Sequence, residues 1–323
     1  MSVAQWARIS NDAFNVAMFG YVGAMVGYFY YLAFRREIVW RVASTVTWIA
    51  LGAHVVSVLS RGMAADRVPW GNLYEYSSML ALLIVAAYLV IVEWRYKVKS
   101  IGGFVLALVV LTMAVAVSFL YVGPAPLVPA LNSYWIKIHV VAAIVGSSLL
   151  ALGGGVLTGL YLYQDRSERR RDELAASGMP PIAGGATDLD VQSGDGAAPH
   201  DLVADELEPA SGPRRGGLLP PASTLDRLAY RTIAFAFPIW TFAVIAGAIW
   251  AQEAWGRYWG WDPKETWSFI VWVVYAGYLH ARATAGWKGR RAATIALIGF
   301  AALLVNYYVV NTVVSGLHSY SGV

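Results

Sequence analysis

The sequence predicts an all-α, polytopic integral membrane protein, a bundle of about eight transmembrane helices with both termini outside (N-out/C-out) and a disordered cytoplasmic linker. Three observations predict it. The 323 residues are 58% hydrophobic and only 14% charged, with a mean hydropathy of +0.53, and a soluble core leaves too little polar surface for that balance. Several apolar runs are about 20 residues long, the length that crosses ~30 Å of hydrocarbon at 1.5 Å per residue. Basic residues gather at every second turn between those runs.

The spans fall at roughly 14 to 34, 39 to 60, 77 to 94, 101 to 121, 136 to 163, 232 to 252, 266 to 284 and 292 to 314. The first has no clear cleavage pattern and is read as retained. Arg35, Arg36 and Arg41, then Arg95, Lys97 and Lys99, then Arg166 with Arg169 to Arg171, then Arg282, Lys288, Arg290 and Arg291 mark the cytoplasmic turns. The turns near 61 to 76, 122 to 135 and 253 to 265 are consequently outside. The interiors of the spans carry essentially no Asp, Glu, Lys or Arg.

Residues 164 to 226 hold seven of the thirteen prolines, many small and acidic residues and almost no aromatic one, the composition of a disordered tether. The chain therefore divides into helices 1 to 5 (1 to 163), the linker (164 to 226), and helices 6 to 8 (227 to 323) with an outer turn at 253 to 267. His200, between Pro199 and Asp201 in the linker, reads as solvated. No internal repeat stands out. The net charge of +4 sits at helix ends, where orienting charges belong, so nucleic acid is not a partner. Cysteine is absent, which excludes disulfides, thiol exchange and thiolate-held metals. Metal or redox chemistry must rest on the five histidines.

The most informative stretch is Trp255-Gly256-Arg257-Tyr258-Trp259-Gly260-Trp261-Asp262-Pro263-Lys264-Glu265-Thr266-Trp267, and six of the fourteen tryptophans lie between Trp250 and Trp272. An interfacial aromatic belt accounts for one or two of them. So many indoles in one turn, with Gly256 and Gly260 allowing close backbone approach, suit a broad, flat, apolar ligand. Asp262 reads as a helix N-cap, with Pro263 in the first turn and Glu265 closing a capping box. Arg257 and Lys264 are either anchors for acidic groups of the ligand or ordinary interface charges.

WGRYWGWDPKE resembles the tryptophan-rich signature (the WWD domain) of the heme-handling proteins of cytochrome c maturation. The continuation TWSFIVWVVYAGYLHAR, the SYWIKIHV segment at Ser133 to Val140 and the terminal GLHSY are similar, in order along the chain, to the CcsA (ResC) family, and VPWGNLYEY at Val68 to Tyr76 resembles an outer loop of that family. The linker lies outside the recognisable pattern. The resemblance implies heme b as cofactor, bound near Trp255, Arg257, Trp259, Trp261, Asp262 and Trp267, and a function in presenting, and exporting, heme at the outer face of a bacterial cytoplasmic membrane. There its vinyl groups meet the thiols of an apocytochrome c CxxCH segment.

The expected topology places His139, at the outer start of the fifth span, and His318, beyond the eighth, beside the tryptophan-rich turn. The resemblance carries the two axial ligands of an outer heme onto them. His280, within a span, is a functional candidate by default. It lies ~20 Å below the turn by helical rise, and the resemblance implies that it ligates a second heme inside the membrane. His54 differs in depth by roughly half a bilayer and reads as core or hydrogen-bonding. The ligand opposite His280 is then expected from a ResB (CcsB) partner.

No side chain offers a dedicated acid, base or nucleophile, so the chain reads as a subunit of a heme lyase (holocytochrome c synthase) complex. Thiol-reducing proteins act on it only indirectly. The alternatives are a CcmC-like or CcmF-like heme-handling protein, a transmembrane heme electron carrier, which needs paired histidines at matched depth, and a solute transporter, which needs charges inside the bundle.

Overall fold

The computed structural model describes residues 1–125, 133–177, 218–314 and 316. Among them the chain folds into eight long helices, α1 (Val3–Phe34), α2 (Glu37–Ala65), α3 (Leu73–Arg95), α4 (Gly102–Phe119), α5 (Tyr134–Ala176), α6 (Ala222–Trp255), α7 (Pro263–Ala283) and α8 (Arg290–Thr312). All but α7 are long and apolar enough to cross a membrane. The 21 residues of α7 could span too, but its Trp, Tyr, His280 and Arg282 make it less apolar. Large apolar side chains such as Phe19, Ile49, Leu111, Phe235, Ile245 and Ile298 stay exposed on the outside of the bundle, the surface that a protein with lipid as its solvent presents.

The α1–α2 hairpin shows how the sequence builds this. Phe14, Ala17, Tyr21, Ala24, Tyr28 and Tyr31 recur every three or four residues and form the buried stripe of α1. Gly20 and Gly27 sit on the same helix where Ala50 and Ala43 of α2 approach. A Cβ at either glycine would stand about 3 Å from the alanine methyl (2.9 and 3.0 Å), so small residues set the close approach, as expected where lipid removes the hydrophobic drive between helices. Arg35, in the left-handed region (φ 56°), ends α1 and makes the turn into α2.

The helices run up and down. Arg61 of α2 meets Glu75 of α3, Ser133 before α5 meets Glu253 of α6, and Lys264 of α7 meets the backbone of Asn306 in α8. These contacts gather at one end of the bundle, with the tryptophan-rich turn. At the other end Lys99 pairs with Glu37, Arg282 with Asp226 and Arg290 with Asp165.

Two expectations are corrected. The linker does not begin at 164, because α5 continues to Ala176, held by Asp165, which pairs with Arg169 one turn on and with Arg290 of α8, and by Glu168, which accepts the Ala222 N–H. α6 begins at Ala222, so 222 to 226 are helical as well. The polar composition there reflects a helix that outruns the apolar layer. The rest of the expected linker, with His200, lies outside the described residues. Second, a span does bury a charged residue. A π-helical turn over Tyr88–Arg95 brings Glu93 (6% exposed) inward, where the hydroxyls of Tyr28, Ser44 and Tyr88 donate to its carboxylate. Among the described residues, these three hydroxyl donors satisfy the buried acceptor and no cation pairs with it.

Candidate functional site: an aromatic cavity at the tryptophan-rich end

Between α3, α4, α5, α6, α7 and α8 lies a cavity of about 570 Å³, within the size range of cofactor sites. Its walls are mostly apolar. Trp250, Trp255 and Trp259 line it from α6 and the turn after it, Trp70 from the loop before α3, Tyr76 from the first turn of α3, and Tyr307 and Tyr308 from α8. Two π-helical turns border it, Ala151–Leu157 in α5 and Val305–Val309 in α8. The extra residue of such a turn re-aims side chains, and π-turns recur at functional positions. In the first, Gly153 and Gly155 let α6 and α8 close in, since a Cβ on them would meet Thr232 and Phe300 at about 3 Å (3.0 and 2.9 Å).

His139, in the second turn of α5, is part of the cavity wall. Its Nδ1 lies 2.8 Å from the carbonyl oxygen of Ala243 in α6. In the neutral ring Nδ1–H is therefore the donor, and Nε2 is the nitrogen with a lone pair to give. The ring lies parallel to that of Trp250 (centroids 6.5 Å apart, 10° between planes), and Trp250 in turn meets Trp255 edge-on at 4.8 Å. Gly247 makes room for this arrangement: a Cβ there would come within 2.7 Å of His139 Nδ1.

The turn itself is fixed by its cap. Asp262 is the N-cap of α7, with its carboxylate accepting from Lys264 N–H, Glu265 closes the capping box and Pro263 takes the first position, as the sequence predicts. Trp261 precedes the cap in the left-handed region (φ 58°), a conformation uncommon for a bulky residue. It is 67% exposed and stacks edge-on with Trp259 and Phe269 rather than lining the cavity. Arg257 pairs with Glu265 and lies over the Trp255 ring. Lys264 does line the cavity, its Nζ donating to the Asn306 carbonyl at 2.9 Å. It sits in the first turn of α7, ahead of the apolar stretch, and burial lowers its ammonium to about 7, with Asp262 partly opposing.

Of the expected site residues, the structure thus gathers His139, Trp255 and Trp259 in the cavity wall, sets Asp262 and Arg257 behind it as cap and brace, and leaves Trp261 outside. Trp267 packs in the neighbouring core. His318 lies outside the described residues, but Gly316, two residues earlier, is against Asp262, since a Cβ on it would stand 2.7 Å from the carboxylate. His280 is exposed near the C-terminus of α7, its Nδ1 3.4 Å from Thr284 Oγ1. His54 is wholly buried between Tyr21 OH (3.4 Å) and Ser78 Oγ (3.0 Å), the hydrogen-bonding core position expected of it.

Sequence reasoning missed the far wall. Tyr76, stacked on Tyr307 at 5.2 Å and 3.0 Å from Ser147 Oγ, was visible only as part of VPWGNLYEY. The signal for α8 was the run Asn306-Tyr307-Tyr308 with Asn311 in an otherwise apolar span.

Residues 70–318 match the family model described as cytochrome c assembly protein. A cytochrome c biogenesis protein CcsA of Gloeobacter violaceus is 35% identical over 99% of this chain and 98% of its own length. One of Porphyra purpurea is 34% identical over 97% of each. In fold, the chain is similar to the structure of the cytochrome c heme lyase CcmF, with a TM-score of 0.61 at 16% identity. That likeness covers 95% of this chain but 47% of the lyase, so this chain matches about half of it. A family match over most of the chain, and relatives of that identity over nearly all of it, establish that the chain belongs to the cytochrome c assembly family, with the CcsA cytochrome c biogenesis proteins.

Proposed function

We propose that the chain holds heme in the aromatic cavity and presents it for attachment to apocytochrome c. One observation carries the reading. An imidazole whose Nδ1 is anchored to backbone, so that Nε2 can ligate, sits in the wall of a 570 Å³ cavity lined by indoles. The donor set fits a heme: a neutral imidazole for iron, flat aromatic walls for the macrocycle, and the Lys264 ammonium for a propionate. In this reading His318 would be the second histidine to hold the iron, with heme b as the bound form. The placement of Gly316 beside Asp262 supports it. Arg257, committed to Glu265 and Trp255, braces the turn instead of holding a propionate.

The chemistry heme brings is two vinyl groups. Each adds one cysteine S–H of a CxxCH segment, so that an S–C bond forms, the hydrogen goes to the neighbouring vinyl carbon, and no net oxidation occurs. The chain's own residues position: His139 and His318 would hold the iron, and the tryptophans of the mostly apolar wall would fix the plane of the ring. The CxxCH histidine replaces one ligand on release. Reduced thiols come from outside, since the chain has no cysteine.

The basic clusters at the opposite end of the bundle support a topology with the tryptophan-rich end on the outer face of a bacterial cytoplasmic membrane. In this reading His280, which is exposed on the bundle, shares a second heme with a ResB-type subunit, and residues 178–217 act as a cytoplasmic tether. A self-contained electron carrier is disfavoured, because His54 already has hydrogen-bond partners on both nitrogens and His280 is remote from it along the bundle. The test is purified protein, assayed for heme by pyridine hemochrome. Heme present in wild type, depleted in His139→Ala and restored by imidazole supports the reading. Heme-free wild type, expressed with ample heme supply, overturns it.

A further inference from the structure

Two helix starts rim the cavity, and both are built to one plan. Arg67-Val68-Pro69-Trp70-Gly71-Asn72-Leu73-Tyr74-Glu75 opens α3, and Arg257-Tyr258-Trp259-Gly260-Trp261-Asp262-Pro263-Lys264-Glu265 opens α7. Arg, Asx and Glu recur at the same intervals. In each, the Asx is the N-cap, its side chain accepting a first-turn N–H: Asn72 from Glu75 at 2.9 Å, Asp262 from Lys264 at 3.0 Å.

In each, the Glu three residues on turns back to hold the loop that precedes the helix. Glu265 accepts from the Gly260 N–H at 2.8 Å, the Asp262 N–H at 3.2 Å and Arg257 at 3.3 Å. A side chain at Gly260 would overlap the Arg257 guanidinium. Glu75 accepts from the Gly71 N–H at 2.8 Å and from Arg67 at 2.7 Å, and it gains a second cation, Arg61 of α2, at 3.0 Å. Its side chain is 0% exposed. The plan escapes sequence inspection because only three of the nine positions are alike in chemistry and function.

What each clamp carries is an indole at the cavity: Trp259 on the α7 side, Trp70 on the α3 side. Glu75 itself does not line the cavity. It fixes the loop that carries Trp70 through charge-assisted bonds from Arg67 and Arg61, the stronger class of hydrogen bond, and through the Gly71 N–H. We infer that Glu75 is a positioning residue for ligand binding: with Arg61 and Arg67 it presents Trp70 as a second aromatic wall of the cavity, as Glu265 presents Trp259. The inference rests on the heme reading above and adds to it a contact residue, Trp70, and the residue through which that contact is made.

The experiment uses the full chain in detergent, with hemin titrated against intrinsic tryptophan fluorescence and helix content checked by circular dichroism. The variants are Trp70→Phe, Trp70→Ala, Glu75→Gln, the double Trp70→Ala/Glu75→Gln, and Trp259→Ala as the control for the cavity. Trp70→Ala and Glu75→Gln are each expected to weaken hemin binding by about two- to tenfold, the range of one aromatic stacking pair. Trp70→Phe should stay close to wild type, and the double variant should be no weaker than the worse single one, because both act through one contact. Unchanged binding in Trp70→Ala overturns the inference, and that variant leaves the clamp intact, so the test stands even where Glu75→Gln fails to fold. Additive losses in the double variant also overturn it. Loss of binding in Trp259→Ala with none in Trp70→Ala would sink the second wall while leaving the heme reading whole; a wild type that binds no hemin would sink both.

Discussion

The Nδ1 atom of His139 lies 2.8 Å from the carbonyl oxygen of Ala243, so an imidazole on α5 is oriented by the backbone of α6. The pair explains why the two helices approach so closely there, with Gly247 opposite the ring and Gly146 against Trp240. A ligating histidine ordinarily gives its second nitrogen to such an acceptor, which fixes tautomer and ring angle together.

His139→Ala should therefore reduce heme per protein by at least about tenfold, the lower end of what loss of ligand orientation alone costs, with partial recovery in imidazole. Gly247→Val separates geometry from ligand identity. It retains the imidazole but puts a Cβ within 2.7 Å of Nδ1, so heme should fall in this variant too, and imidazole should restore it poorly because the displaced ring still occupies the site. Pyridine hemochrome assays of both proteins, at equal helix content, check the pair.

Lys264 predicts a pH dependence. Its ammonium is lowered to about 7 by burial, and a bound carboxylate would raise it. Binding then takes up a proton at any pH between the free and the bound value. Affinity is full below pH 7 and falls as pH rises through and above it, by up to about tenfold per unit. Hemin titrations from pH 6 to 9 should show this fall in wild type. It should vanish in Lys264→Met, which is weaker throughout, and in Lys264→Arg, which keeps its charge. A flat wild-type profile would remove Lys264 from the binding argument.

Much of the fold was legible because lipid imposes a simple rule. Apolar runs of the right length became helices, and the Asp262 cap and the Pro263 start follow from local chemistry that sequence shows directly. The core or hydrogen-bonding role of His54 was legible only from its depth, since its partners Tyr21 and Ser78 come from α1 and α3. The end of α5 was not legible, since Asp165 and Glu168 look solvated until Arg290 and the Ala222 N–H are brought to them by the fold. Glu93 was missed for a related reason: its three hydroxyl partners come from α1, α2 and its own π-turn. Of the tryptophans, the sequence could not tell that Trp259 turns to the cavity while Trp261 turns out, because that depends on one left-handed residue before the cap.

The corrected boundary of α5 gives a pair of deletions with opposite outcomes. Removing residues 180 to 215 should leave membrane insertion and heme content within about twofold of wild type, as expected of a tether with little apolar content. Removing 164 to 176 takes away the Asp165 contact to Arg290 and the Glu168 contact to α6, and should lower thermal stability in detergent. Equal loss of heme in both would show the tether to be part of the site.

His54 and His280 are opposite cases, and together they test where a second heme can sit. His54 is enclosed, with Tyr21 and Ser78 on its two nitrogens, so His54→Ala leaves two buried polar groups and a void and should cost about 2–4 kcal/mol of stability. It should leave heme per folded protein unchanged. His280 is exposed with one long contact to Thr284, so His280→Ala should change stability by less than about 0.5 kcal/mol. In complex with a ResB-type subunit it should nevertheless lower the total heme recovered, because an exposed imidazole on the bundle surface ligates iron only where a second polypeptide completes the site. His139→Ala should leave that pool in place. An isolated chain whose bound heme is six-coordinate through both His54 and His280 would refute this assignment, since it would require α2 to give up the Ser78 and Tyr21 contacts and carry His54 to the opposite end of α7.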